Sequence, residues 1–288
     1  MIEKFLQNVY LKNYVTFRIG GPAKYFFIAK NNIELLDVIK TAKERKIPFF
    51  ILGNGSNLLV SDKGFNGLII KSEISDMEIG EKTIKVSSGV MLPEIALEAK
   101  RNELGGLEWM SGIPGTLGGA VWDNAGVSSF SIKDNVINVE VLNLEDMSIE
   151  IYSKEKCDFD YRTSIFKQHK NLVILSAEFS LEKKPKEVIE KNMQEFIEKR
   201  KNTQPIDYPS AGSVFKNPES FSAGELIEKC GLKGKRIGDV KVSERHANFI
   251  INLGNGKSKD VVKLISLIKK EVKKKFKIKL EEEIVVLK

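Results

Sequence analysis

The sequence reads as an α+β protein of two domains, and three observations carry that reading. Segments with a helical apolar repeat alternate with short strand-type runs, so both kinds of element are present. The chain has 288 residues, more than a single core comfortably serves. A charged run, Glu182-Lys183-Lys184-Pro185-Lys186, then breaks the strand pattern. A boundary there separates residues 1–184 from residues 185–288.

Leu35, Leu36, Val38, Ile39 and Ala42 share one face and predict a helix over residues 33–45. Ile47-Pro48 ends it, and Phe49–Leu52 is a buried-type strand. The turn-rich Gly53-Asn54-Gly55-Ser56-Asn57 follows, then strands at Leu58–Val60 and Leu68–Ile70. Next come a strand at Ile84–Val86, a helix over Leu92–Glu103 and a glycine-rich stretch over residues 105–126. Val136–Leu144 and Ile149–Tyr152 alternate like the arms of a hairpin, and Leu172–Leu181 is a further strand. Beyond the boundary, Val188–Lys201 and Ala223–Cys230 read as helices and Phe249–Asn252 as a strand. Val261, Val262, Leu264, Ile265, Ile268, Val272 and Phe276 mark an amphipathic helix with its lysines on the far face. Ile284–Leu287 is the closing strand.

Composition narrows the function classes. Lys and Arg number 46 against 39 Asp and Glu, a net +7. Cys157 and Cys230 lack C-x-x-C spacing, which argues against a disulfide scaffold or a zinc finger and for buried thiols in a reducing cytosol. Two histidines, His169 and His246, cannot build a histidine-rich metal site, so no metal is expected. The first residues hold no apolar signal core, and no run approaches the roughly 18 apolar residues of a membrane span. A cytoplasmic protein without a membrane partner is expected. The basic balance invites a nucleic-acid reading. However, the lysines of residues 269–279 are interspersed with an apolar stripe and lack aromatic platforms, so a solvated face is expected instead. Such a face can also steer an anionic small molecule.

Two loops have the composition of phosphate cradles. Gly53, Asn54, Gly55, Ser56 and Asn57 follow a buried-type strand, where glycines allow amides to converge at close range; a tight turn between two strands is the plainer alternative. No helix follows at once, so this is neither a Rossmann fingerprint nor a P-loop. In the second loop, seven of the 22 residues over 105–126 are glycine, around Ser111-Gly112-Ile113-Pro114-Gly115-Thr116-Leu117-Gly118-Gly119. Ordering so bare a backbone costs conformational entropy, which a large polar ligand lying against it would offset. A flexible linker fits poorly, because Trp109, Ile113, Leu117, Val121 and Trp122 need burial. Together the loops suit a dinucleotide, with FAD and NAD both open at this level. Tyr161-Arg162 can hold a carboxylate or diphosphate through the guanidinium fork, although taken alone a surface Tyr and Arg is the plainer reading. Ser210–Pro218 sets hydroxyls beside an amide and a cation; without G-x-S-x-G, Ser213 is as compatible with a proton donor as with a nucleophile.

Taken together, Thr16–Ala23, Gly53–Asp62, Gly112–Gly126, Tyr161-Arg162, Ser210–Pro218 and Glu244–Asn252 occur in an order that resembles the bacterial UDP-N-acetylenolpyruvoylglucosamine reductases. The resemblance spans Thr16 to Ile284 and is closest to the shorter branch, which lacks a tyrosine-bearing substrate loop. It implies an FAD module of the vanillyl-alcohol-oxidase type with two lobes, followed by a C-terminal substrate domain. Val15 and Asp123 depart from the usual residues, and Lys288 ends the chain without the glycine common after the last strand.

By the same resemblance, the reaction is NADPH-dependent, FAD-mediated reduction of UDP-N-acetylglucosamine enolpyruvate to UDP-N-acetylmuramate in peptidoglycan precursor synthesis. Arg162 then faces the substrate carboxylate, Glu283 works beside it and Ser213 donates the proton. Tyr161 and Asn217 become substrate contacts. Gly53, Asn54, Gly55, Ser56 and Asn57 hold the pyrophosphate, while Ser111, Gly112, Ile113, Gly115, Thr116, Gly118 and Gly119 line the rest of the cofactor. Substrate and NADPH would use one face of the flavin in turn. Glu281-Glu282-Glu283 can also be read as a solvated charge run, and His246 as structural or catalytic.

Overall fold

Apolar spacing builds most elements of the computed structural model, which describes residues 2–288. The helix Ser258–Phe276 buries Val261, Leu264, Ile265, Ile268 and Val272, while Lys259, Lys263, Lys270, Lys273, Lys274 and Lys277 are exposed. Residues 257–279 hold ten lysines and two carboxylates, a local +8 that exceeds the net +7 of the chain. The strands Phe49–Leu52, Leu58–Val60 and Phe249–Asn252 have the bounds that their sequence suggests. The first helix is Asn32–Glu44, and Lys46 beyond it turns left-handed at φ 52°.

Where bounds differ from those the sequence suggests, a local cause is visible. The second helix stops at Arg101 because Glu103 takes φ 59°. The glycine-rich stretch holds a 3-10 turn, Glu108–Gly112, and a helix, Leu117–Asp123, that ends at Asn124 with φ 45°. Leu117, Ala120 and Val121 recur at helical spacing and are buried, so their burial outweighs the poor helix propensity of Gly118-Gly119. A Cβ on Gly118 would stand 3.0 Å from Ser88 Cβ, so a bare backbone is what lets this helix sit so close. The last strand is Val285–Leu287.

The described residues fall into two compact units: residues 2–27, 38–70 and 200–288 form one, and residues 28–37 and 71–199 the other. This division differs from the line at 184/185, because long-range bonds attach the beginning of the chain to its end. In the first unit Val285–Leu287 pairs in parallel with Leu58–Val60. Thr16 Oγ1 donates to Ser210 O at 2.7 Å, and Asn252 Nδ2 donates to Phe17 O at 3.1 Å. Asp62 caps the helix Ser258–Phe276, its carboxylate accepting Ser258 N–H at 2.9 Å and Lys259 N–H at 3.2 Å. None of these pairings has a local signature.

A four-stranded sheet runs in the order Leu6–Tyr10, Pro22–Ala29, Phe65–Ser72, Phe49–Leu52. A second sheet runs Ser210–Ser213, Phe249–Asn252, Val240–Val242, Arg236–Ile237. Its core gathers Phe17, Ile19, Leu59, Val214, Phe215 and Ile250 with the apolar face of Ser258–Phe276. In the other unit, a five-stranded antiparallel sheet orders Ile149–Ser153, Val136–Asn143, Leu172–Ser180, Thr83–Ser87, Met77–Ile79. It packs on Leu92–Arg101, Leu117–Asp123 and the buried indole of Trp109. Among the described residues no helix is long and apolar enough to cross a membrane, and no cluster of three or more His, Cys, Asp or Glu could hold a metal.

Candidate functional site

In the first unit, the strand Ser210–Ser213 runs antiparallel to Phe249–Asn252 with a change of register between Ser210 and Ser213. Gly212 takes φ 76° within that bulge, a conformation that glycine adopts without strain. Regular pairing ends at Ser213, which is half-buried. Beyond it, Val214 N donates to Asn248 O at 2.8 Å, and Val214 O accepts Glu283 N–H at 2.8 Å. Lys216 N donates to Glu281 O at 3.0 Å. Ser213 and Glu283, 70 positions apart in sequence, therefore sit on neighbouring backbones that meet at Val214.

The three glutamates are not equivalent. Glu281 and Glu282 are exposed, facing Lys216 at 3.9 Å and Lys269 at 2.8 Å, whereas Glu283 is half-buried. The first glycine loop joins the same segment: Asn57 Nδ2 donates to Glu283 O at 3.2 Å, and Val285 N donates to Asn57 O at 2.9 Å. A Cβ added at Gly212 would have Ser56 O as its nearest neighbour, at 3.8 Å. Ser56 and Asn57, at the end of the loop Gly53-Asn54-Gly55-Ser56-Asn57, are thus brought beside Gly212 and Glu283. Asn217 is exposed, and its Oδ1 accepts Ala223 N–H at 3.0 Å, at the start of the helix Ala223–Lys229.

His246 is half-buried in the turn before Phe249. Its Nδ1 accepts Asn248 N–H at 3.2 Å, and its ring lies 4.9 Å from that of Phe249. Burial pushes its pKa below the ordinary value, which keeps the ring neutral and Nδ1 an acceptor. This is structural work.

In the other unit, Asp160 and Thr163 close a tight turn, each amide donating to the other's carbonyl at 3.2 Å. Arg162 occupies the left-handed region at φ 54°, a strained place for a side chain of this size. Its Nη2 donates to Gly126 O at 2.9 Å, and its guanidinium carbon lies 5.4 Å from the centre of the Tyr161 ring. Lys167 braces the turn from behind, donating to Arg162 O at 3.0 Å and pairing with the buried carboxylate of Asp123. The same ammonium lies 4.7 Å from the Trp122 ring centre. Asp123 thus has a charge partner in this chain. Sequence reasoning gave no role to Lys167 or Asn248, whose partners lie 44 and 33 positions away.

The second glycine loop lies in the same unit as Arg162. Leu117 and Gly118 commit their amides to Val90 O at 2.9 Å and Ser88 O at 2.8 Å, so these two amides are not available to a ligand. Thr116 Oγ1 differs: it is buried and has no partner. A Cβ on Gly119 would meet nothing but that hydroxyl, at 3.8 Å. An orphaned hydroxyl beside a bare, open backbone is what a large polar cofactor needs, and FAD fits the residues present. Of the thiols, Cys157 is buried with its pKa pushed up to about 12, while Cys230 is only partly buried. The expectation of two buried thiols holds for Cys157 alone.

Comparison with known proteins gives the context. Residues 204–287 match the UDP-N-acetylenolpyruvoylglucosamine reductase C-terminal domain, and residues 23–149 match an FAD binding domain. A UDP-N-acetylenolpyruvoylglucosamine reductase of Caldanaerobacter subterraneus subsp. tengcongensis is 46% identical over 285 residues, 99% of this chain and 94% of the relative. The Bacillus subtilis reductase of that name is 38% identical over 288 residues, covering 99% of this chain and 95% of the relative. The crystal structure of the Thermus caldophilus enzyme aligns with a TM-score of 0.84 at 36% identity, over 99% of this chain and all of that one. The chain belongs to the UDP-N-acetylenolpyruvoylglucosamine reductase family, with the α+β, FAD-binding fold that its sequence implies.

Proposed function

We propose that this chain reduces the enolpyruvyl double bond of UDP-N-acetylglucosamine enolpyruvate to UDP-N-acetylmuramate, a step in peptidoglycan precursor synthesis, using NADPH through FAD, with Arg162, Ser213 and Glu283 as its catalytic residues. One observation carries the assignment of the acid: Ser213 and Glu283, far apart in sequence, are tied to the same residue, Val214. Bound FAD would supply the two-electron transfer between NADPH and substrate. The protein supplies position and electrostatics. Reduction leaves negative charge on the carbon beside the substrate carboxylate, and Arg162 offers a permanently charged fork to the carboxylate oxygens that share it. Ser213 Oγ delivers the proton to that carbon as a general acid. Glu283 works beside them as the neutral acid or through a water, since a bare carboxylate would repel the growing charge.

Gly53, Asn54, Gly55, Ser56 and Asn57 would hold the pyrophosphate. Ser111, Gly112, Ile113, Gly115, Thr116, Gly118 and Gly119 would line the remaining cofactor, with Thr116 Oγ1 finding there the partner it lacks. Tyr161 and Asn217 contact substrate. In functional terms, residues 1–184 serve the flavin and residues 185–288 the sugar nucleotide. The activity belongs in the cytoplasm, with small-molecule partners and neither nucleic acid nor membrane.

The test is anaerobic. Purified holoenzyme is bleached with NADPH and then mixed with the enolpyruvyl sugar nucleotide. Return of the oxidised flavin spectrum, with one product formed per flavin, is expected. Reoxidation by air alone would identify an oxidase of another substrate and overturn the reading.

A further inference from the structure

We infer that Asn248 is a positioning residue for proton delivery, its carboxamide standing in for a missing strand partner and fixing the backbone that carries both Ser213 and Glu283. The inference rests on the roles just given to those two residues. After the bulge at Gly212, Val214–Lys216 no longer has a regular ladder on the side of Phe249–Asn252. A backbone left there without partners would cost as much as the lost bonds. Asn248 supplies them. Its Oδ1 accepts Phe215 N–H at 3.0 Å, its Nδ2 donates to Phe215 O at 2.8 Å, and its own carbonyl accepts Val214 N–H at 2.8 Å. The amide thus copies the donor–acceptor pair of an opposing residue, and it does so while 4% exposed, where no solvent competes.

The opposite edge of Val214–Lys216 bonds to Glu281 and Glu283. One neutral side chain therefore fixes a backbone whose near end is Ser213 and whose far edge sets Glu283. Asn248 touches neither side chain through any of these bonds. Its effect passes through main chain, which separates it from the acid itself.

Two variants of the holoenzyme test this. Asn248→Leu keeps the volume and removes both side-chain bonds. Asn248→Asp keeps the acceptor but, when ionised, loses the donor; protonated, it is a structural copy of the amide, and burial raises its pKa. Asn248→Leu is expected to quicken amide hydrogen exchange at Phe215 and slow flavin reoxidation by substrate, each about tenfold. Reduction of the flavin by NADPH should stay within about twofold. The rate of Asn248→Asp divided by that of wild type should rise as pH falls. Glu244, Arg245, His246, Lys216, Glu281, Glu282 and Glu283, on the neighbouring segments, are common to both proteins, and taking the ratio again on a His246→Gln background removes the one bonded to residue 248. Equal slowing of both half-reactions, unchanged exchange at Phe215, or a flat Asp ratio would overturn the inference. If Asn248→Leu does not fold, the Asp ratio decides. If wild-type reduced flavin is not reoxidised by the sugar nucleotide, the functional reading falls on its own, and Phe215 exchange still judges the clamp: faster supports it, unchanged removes it.

Discussion

The segment bearing Ser213 and the turn bearing Arg162 are held by opposite means. Val214–Lys216 is fixed by neutral hydrogen bonds, from the Asn248 carboxamide on one edge and the backbone of Glu281 and Glu283 on the other. Its bulge is relieved by a glycine, so little strain is stored. The Arg162 turn places a long side chain at φ 54°, at a cost of about 1–2 kcal/mol. It relies on an ion pair, Lys167 with Asp123, and on the bond from Lys167 to Arg162 O. In the role proposed for Ser213, one hydroxyl presented to one carbon would be served by a rigid, uncharged frame. In the role proposed for Arg162, a guanidinium meeting a charged group would be served by a frame that already places a carboxylate behind a lysine. Each frame should therefore fail to a different perturbation.

The largest effect falls on the neutral frame. Ser213→Ala removes the proposed proton donor and leaves the backbone bonds intact. Flavin reoxidation by substrate should slow by on the order of 10²–10⁴ while reduction by NADPH stays near the wild-type rate, measured by stopped-flow absorbance. Equal slowing of both steps would make Ser213 architectural.

Disrupting the charged frame comes next. Lys167→Met strips the Asp123 carboxylate, which is nearly buried, of its ammonium partner and should destabilise the protein by about 3 kcal/mol in urea unfolding. Adding Asp123→Asn should return much of that loss, since the charge left behind is what costs most. A double-mutant cycle reads the coupling. A single-mutant loss below about 0.5 kcal/mol with no coupling would mean that the pair braces nothing.

The smallest effect separates the frames by pH. His246 is held below its ordinary pKa by burial, so the unfolded chain binds more protons than the folded one as pH falls below about 6.5. Stability should be fully present above that value and decline as pH falls through the lower folded-state pKa, as Nδ1 is protonated and stops accepting Asn248 N–H. His246→Gln should flatten this decline. A pH profile unchanged by that substitution would exclude His246 as its source.

Much of the fold and of the site is legible in the order of residues. The strand Phe249–Asn252 and the helix around Val261–Val272 follow from apolar period, and Glu283 is singled out from its run by motif position alone. The structure adds a physical distinction that the run conceals, since Glu281 and Glu282 are exposed beside lysines and Glu283 is not. The helix Leu117–Asp123 is hidden because glycine content masks a short buried repeat. Lys167 and Asn248 leave no signal, because a lysine between apolar residues and an asparagine before a strand are common anywhere.

The alternation of elements, the two side-chain-poor loops and the family are properties of the linear chain, since each depends on neighbours within a few turns or on the order of motifs. Which ends of the chain share a unit, what frames Ser213 and Arg162, and which charge meets Asp123 were settled by folding instead. Those outcomes depend on pairs 33 to 235 positions apart, such as Asn248 with Phe215 and Asn252 with Phe17. Hydrophobic period is a one-dimensional signal; a hydrogen bond across such a gap has an address only once the chain has closed.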